Sequence, residues 1–250
     1  MNSSFPKIFV ISLKDASERR QPLIDALDRM GVTCEMHWAI DGRDGLPPEC
    51  EALVDRDRTG QSIGRALSDA EYACALSHIS VYRTMLAEGI GDAVVLEDDA
   101  RLLYGFHEAI QKDMPDWADL VLFDHQGCFV RRLGSRPFVP GVMAHRICHK
   151  RPTLATGYRL TLATAERMKK ASLPVHQPPD WPSDILDFRT FASWPRIVGH
   201  HNFEEGHSHL RAGRAQMIQK SRIGAARANN NERLLTIDYW RRKLTVRKLS

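Results

Sequence analysis

Short apolar runs alternate with helix-patterned segments through the first half of the chain. This restricts the fold to an α/β class in which strands are joined by crossover helices. KIFVISL is the first strand, and behind it Leu23, Ile24, Leu27 and Met30 stand at helical spacing before Gly31 supplies a left-handed cap. Pro22 predicts a helix that begins close to it, leaving KDASERR (residues 14–20) as the strand-to-helix loop. EMHWAI is a second strand that breaks at Asp41-Gly42, and the Gly/Pro/acid-rich residues 43–64 read as a long surface excursion. Ser68-Asp69-Ala70-Glu71 is a capping box that starts a helix through Tyr72, Leu76, Ile79, Tyr82 and Leu86 to Gly89, with Glu71, Cys74 and His78 on another face. AVVL follows as a wholly apolar strand, DLVLF as another, and TGYRLTLATAERMKKASL as a strand ending near Ala163 and then a short helix.

These segments predict a mostly parallel, mixed sheet flanked by helices over residues 1–210, followed by a basic segment, 211–250, read as helical. Hydrophobic content of 43% and charged content of 26% fit a globular chain. The opening apolar run, Ile8 to Leu13, is too short for a signal-peptide core or a membrane span, and no later run is longer. Five cysteines without a CxxC pair suggest neither a zinc knuckle nor a disulfide framework, so a reducing cytoplasm is the expected compartment. Residues 211–250 carry eleven Lys/Arg against two Asp/Glu, a local +9 in a chain of formal net charge +4, so the remainder is −5. Such a tail predicts contact with a polyanion, with a solvated helix face as the other reading. Its single aromatic cluster, Tyr239-Trp240, and the lack of a nucleic-acid motif speak against nucleic acid.

The chemistry concentrates at the end of AVVL, where Glu97, Asp98 and Asp99 follow directly. Adjacent carboxylates at a buried strand end repel one another and resist desolvation unless a cation or solvent compensates. Hard oxygen ligands suit Mn²⁺ or Mg²⁺, and open α/β sheets take ligands at the carboxyl ends of their strands. A solvated acidic turn is the other reading. Arg19 and Arg20, after the first strand, are placed to meet phosphates. Asp180 and Asp184, among prolines and a tryptophan, suit a positioned general base, although proline-bounded loops also carry solvated acids. His200, His201, His207 and His209 offer one residue that can complete a metal shell.

Together these fragments resemble glycosyltransferase family 25, the lipooligosaccharide-type sugar transferases. The family's opening Asn-Leu and Asp-x-x-x-Arg-Arg look like ISLKDASERR, with Ser12 in place of asparagine, and its Ala-x-Asp-Gly looks like Ala39-Ile40-Asp41-Gly42. Its Glu-x-x-Cys-x-x-Ser-His helix is matched by Glu71, Cys74, Ser77 and His78, and its Leu-Glu-Asp-Asp by Leu96, Glu97, Asp98 and Asp99. The later Gly-x-x-Tyr-x-(Ile/Leu) strand and helix resemble TGYRLTLATAERM. The match covers about residues 7–200 and is thin over 43–64 and 129–153.

The resemblance implies a GT-A-like fold and an inverting hexosyltransferase that uses a UDP-sugar, typically UDP-galactose, with Mn²⁺ or Mg²⁺. It implies Asp99 and Glu97 around the metal, with His201 of the histidine run as the residue expected to complete the shell, and Arg19, Arg20, Asp41, Glu71, Ser77, His78, Glu97 and Asp98 around the donor. Asp180 is then the expected base, with Asp184 the alternative. The expected acceptor is a hydroxyl of a lipooligosaccharide or lipopolysaccharide core or another glycan or glycolipid. The basic tail would hold the enzyme on the inner face of the inner membrane through anionic lipid. UDP-glucose as donor, or a metal-dependent phosphohydrolase acting on nucleotides, are the alternatives.

Overall fold

The computed structural model describes residues 5–200 and 244–249. Strand β1 (Lys7–Ser12) leads into helix α1 (Ser17–Arg29) and strand β2 (Glu35–Trp38). Helices α2 (Arg56–Ile63) and α3 (Asp69–Glu88) precede β3 (Asp92–Glu97), β4 (Ala100–Leu102), the short α4 (Phe106–Ile110) and β5 (Leu120–Leu122). Strands β6 (Phe129–Arg131), β7 (Arg136–Val139), β8 (Val142–Arg146) and β9 (Gly157–Thr161) come next. Helix α5 (Leu162–Ser172), β10 (Thr190–Trp194), β11 (Val198–His200) and β12 (Val246–Lys248) complete the described chain.

Eight strands form one sheet in the order β2-β1-β3-β9-β5-β10-β8-β7. Strand pairing gives β2, β1, β3, β5, β10 and β7 one direction, with β9 and β8 running against them, so the sheet is mixed with most strands aligned. Both faces are covered, which is why the strands read as unbroken apolar runs rather than alternating ones. Phe9, Ile11, Ala93 and Val95 join the core beneath α3 and α5, whereas Ile8, Val10, Val94 and Leu96 join the core beneath α1 and α4. Two small two-stranded sheets, β11-β4 and β12-β6, flank the main one. Among the described residues no helix is long and apolar enough to cross a membrane.

The capping box at the start of α3 is formed as expected, with Ser68 and Glu71 bonded reciprocally and Gly89 in the left-handed region at φ 66°. Four expectations change. Helix α1 starts at Ser17, and Pro22 lies inside it. The ring's fixed φ is helical, and its cost is local to the Glu18 carbonyl, which loses an amide donor and is crowded by the ring. Arg19 and Arg20 therefore stand in the first turns of a helix and not in a loop. Residues 43–64 contain α2, capped by Asp55 on the Arg58 amide and ended by Gly64. Only Thr59 of α2 is buried, so apolar periodicity gives no sign of the helix. Strand β9 ends at Thr161, two residues before Ala163, because the Thr161 side chain caps α5. The basic segment falls largely outside the described residues, but Val246–Lys248 is strand paired with β6, not helix.

Candidate active site

Alternation along β3 decides which way the acidic residues face. Ala93 and Val95 point towards α3, so Glu97 does too. There it meets His78, whose Nε2 lies 3.2 Å from Glu97 Oε1. His78 is buried, and its Nδ1 is 2.9 Å from the Tyr158 hydroxyl, itself 3.0 Å from the Tyr82 hydroxyl. Cys74 sits one turn before His78 on the same face of α3. Burial opposes ionisation of Glu97, but the hydrogen bond and charge of His78, helped by Arg19, outweigh it and lower the pKa.

Asp98 and Asp99 occupy the turn between β3 and β4, opposite the first turn of α1. Arg19 reaches both: Nε lies 2.9 Å from Asp98 Oδ1 and Nη2 lies 2.8 Å from Asp99 Oδ2. Ser12 Oγ, at the end of β1, donates to Asp98 Oδ2 at 2.8 Å. One guanidinium thus faces three carboxylates. Burial pushes Asp98 up to about 6, with repulsion from Asp99 and Glu97 adding to it and Arg19 and Ser12 opposing it. Burial and then Glu97 raise Asp99 as well. Asp99 Oδ1 is buried and has no hydrogen-bond partner among the described residues. A buried anionic oxygen without a donor is a costly arrangement, and it is the feature expected where a cation binds. The oxygen donors of Asp99 and Glu97 suit a hard divalent ion.

A second acid stands nearby at the carboxyl end of β5. Asp124 is fully buried and receives Arg196 on Oδ1 at 3.0 Å, and its Oδ2 lies 2.8 Å from His200 Nδ1. Burial alone would raise its pKa, but His200 and Arg196 bring it down. His200 reaches this position because β11 pairs with β4, setting His200 opposite Ala100 directly after the acidic triplet. Sequence reasoning overlooked Asp124 and Arg196. The apolar run LVLF ending in Asp124 has the same form as AVVL ending in Glu97, and that signal could have found it.

An open cleft lies over these strand ends. Arg19, Asp41, Cys74, Ser77, His78, Glu97 and Asp98 line it. Asp41 is forked by Arg43, which also reaches Asp15 at 2.8 Å, so a charged network sits at the rim. Ser77 Oγ accepts from the Ile40 amide at 2.9 Å and fixes the Asp41-Gly42 loop to α3. Gly42 allows that close approach: a Cβ there would stand 2.5 Å from the Asp69 carbonyl oxygen.

Other predicted residues are placed elsewhere. Glu71 does not line the cleft; it is buried, with its carboxylate on the Ser68 amide and on a two-pronged contact with Arg65. Arg20 donates to the Leu13 carbonyl and stacks over Trp38, 5.4 Å from the ring centre. Asp184 is exposed and caps a single turn through the Leu186 amide. Asp180 is half-buried in the preceding turn. Its neighbour Trp181 packs edge-on against Tyr158, ring centres 5.4 Å apart, so its loop borders the His78 network. His201, His207 and His209 lie outside the described residues.

The fold and site define an α/β protein with an acidic cleft at the carboxyl ends of its strands, the position at which such sheets take their ligands. The chain belongs to glycosyltransferase family 25 (LPS biosynthesis protein), whose model matches residues 5–184. It is 27% identical over 178 residues to procollagen galactosyltransferase 1 of Danio rerio, covering 67% of this chain and 29% of that protein. It is 30% identical over 183 residues to inactive glycosyltransferase 25 family member 3 of Mus musculus, covering 69% of this chain and 30% of that protein. Procollagen galactosyltransferase 2 of Homo sapiens is 28% identical over 131 residues, covering 51% and 21%. The chain thus spans less than a third of the length of these relatives.

Proposed function

We propose that the protein transfers a hexose, galactose in the first instance, from a UDP-sugar to a hydroxyl of a glycan, with Mn²⁺ or Mg²⁺ assistance and inversion at the anomeric carbon. The observation that carries this reading is the charge balance at the strand ends: three carboxylates, one guanidinium and a buried oxygen on Asp99 with no hydrogen-bond partner among the described residues. Asp99 and Glu97 would hold the cation, with His201 as a further ligand from outside the described residues. When bound, the ion supplies positive charge that stabilises a departing diphosphate.

The chain's own residues do the rest. Arg19, in the first turn of α1, adds a positive charge at the same strand ends, where negative charge develops as the sugar–phosphate bond breaks. Asp98, fixed by Ser12 and Arg19, and the Asp41-Gly42 loop shape the donor end of the cleft. Asp180 takes the proton from the acceptor hydroxyl as its oxygen attacks the anomeric carbon. A core oligosaccharide of lipopolysaccharide is the acceptor that the family's description suggests. The basic segment would then bind anionic lipid beside it.

The deciding experiment is a panel of nucleotide sugars with Mn²⁺, read by donor hydrolysis and by thermal stabilisation. UDP-galactose is expected to raise the melting temperature most and to turn over. Asp99→Ala is expected to abolish turnover with an unchanged circular dichroism spectrum. Phosphate release from free nucleotides with no response to any sugar donor would overturn the transferase reading in favour of a phosphohydrolase.

A further inference from the structure

The proposed cation position at Asp99 leaves unused a sulfur and a nitrogen ligand in the same cleft, those of Cys74 and His78. Cys74, His78 and Glu97 each present one ligand atom, and these atoms all lie within 4.8 Å of one another. All three residues line the cleft, so the space between them opens to it. Bonds of about 2.0–2.3 Å to a tetrahedral Zn²⁺ set neighbouring ligand atoms about 3.3–3.8 Å apart. His78 Nε2 and Glu97 Oε1, at 3.2 Å, are already near that spacing. Cys74 and His78 are four residues apart on α3, the helical spacing that presents two ligands to one point.

A metal-binding imidazole needs its other nitrogen held, and His78 meets this requirement. Its Nδ1 lies 2.9 Å from the Tyr158 hydroxyl, and that hydroxyl lies 3.0 Å from Tyr82. While Nε2–H donates to Glu97, Nδ1 accepts from Tyr158. With a metal on Nε2 the proton moves to Nδ1, which then donates to Tyr158, and Tyr158 can donate on to Tyr82. The phenol chain therefore supports either tautomer in a buried setting. We propose that Cys74 Sγ, His78 Nε2 and Glu97 Oε1 form a binding site for a thiolate-accepting divalent cation, Zn²⁺ by ligand chemistry, with its fourth position open to the cleft. This site is separate from the cation position at Asp99, although both draw on Glu97. It goes beyond the transferase reading and does not require it, because binding is measured with neither donor nor acceptor present.

The test uses Co²⁺ as a spectroscopic stand-in for Zn²⁺, titrated into the full, reduced chain. The expected result is one ion bound with a thiolate-to-cobalt charge-transfer band, displaced by stoichiometric Zn²⁺. Cys74→Ser is expected to remove the band, whereas Asp99→Ala and Cys148→Ser retain it. Tyr158→Phe is expected to weaken binding by roughly 10–100-fold. Cobalt held only by histidines or carboxylates elsewhere in the chain gives no thiolate band. Absence of the band in the unaltered protein, or its survival in a folded Cys74→Ser variant, would overturn the site. Unaltered affinity in Tyr158→Phe would overturn the orienting role given to the phenol chain.

Discussion

Asp98→Asn is expected to stabilise the protein while removing the transfer activity proposed for it. In the folded chain the Asp98 carboxyl titrates at about 6 against an ordinary 3.8, because it is buried and crowded by Asp99 and Glu97. Its folded pKa is therefore raised: the contribution to stability is full below the unfolded value and is lost as pH rises through the folded one. Between 3.8 and about 6, at roughly 1.36 kcal/mol per pH unit, the ionised form costs the fold about 3 kcal/mol by pH 8. Near pH 4 the same linkage leaves about 0.5 kcal/mol. Asparagine removes the charge. Its single carbonyl oxygen keeps one of the two contacts now made with Ser12 and Arg19, so the expected gain is about 1–3 kcal/mol at pH 8. At roughly 2–4 °C per kcal/mol for a chain of this size, the melting temperature should rise by several degrees. The assay is denaturant unfolding of both proteins, without divalent ions, at pH 4 and pH 8. A variant that is less stable than the parent at pH 8, or equally stabilised at both pH values, would refute the reasoning.

Gly42→Ala should lower stability by about 1–3 kcal/mol in thermal melts, because the new Cβ meets the Asp69 carbonyl and the Ala73 Cβ at 2.5 and 2.7 Å. A silent substitution would show that the loop moves freely from α3. Asp180→Asn should reduce kcat by roughly 10²–10⁴-fold, the usual scale of general-base loss, whereas Asp184→Asn should leave both rate and stability nearly unchanged, because the amide oxygen still accepts from the Leu186 N–H. The reverse pattern of rates would exchange their roles. Membrane attachment is better tested by neutralisation than truncation, since β12 pairs with β6 and Leu249 is buried. Changing Arg211, Arg214, Lys220, Arg222 and Arg227 to Gln should abolish sedimentation with anionic vesicles at low salt, given about 1 kcal/mol per cation. Undiminished binding would remove the lipid role.

What could be read from the sequence depended on whether a residue's partner was local. Ser68 and Glu71 are three residues apart, so the capping box announces itself, as do Gly89 and the doubly buried runs of β1 and β3. Helix α2 was hidden because it covers little core: its caps, Asp55 and Gly64, were visible, but its sequence RDRTGQSI holds one large apolar side chain, Ile63, and so gave no periodicity. Glu71 illustrates the opposite limit. Its carboxylate and its place in the motif suggested a ligand contact, but Arg65 lies six residues back in the chain and takes both oxygens.

The pairings that make the site are long-range and follow from sheet order. Asp98 meets Ser12 across 86 residues and Asp124 meets His200 across 76, contacts fixed only once β1 lies beside β3 and β11 beside β4. Arg19 depends on one further detail, the start of α1. If the helix began near Pro22, residue 19 would sit on a free loop. Beginning at Ser17, the helix directs its first turn at the triplet and holds one guanidinium between two carboxylates. This leaves the site short of positive charge, with Asp99 Oδ1 buried and without a hydrogen-bond donor among the described residues. A cleft so arranged gains most from a ligand that brings cations with it. A diphosphate alone would add negative charge to three carboxylates, and a metal–diphosphate complex would relieve them.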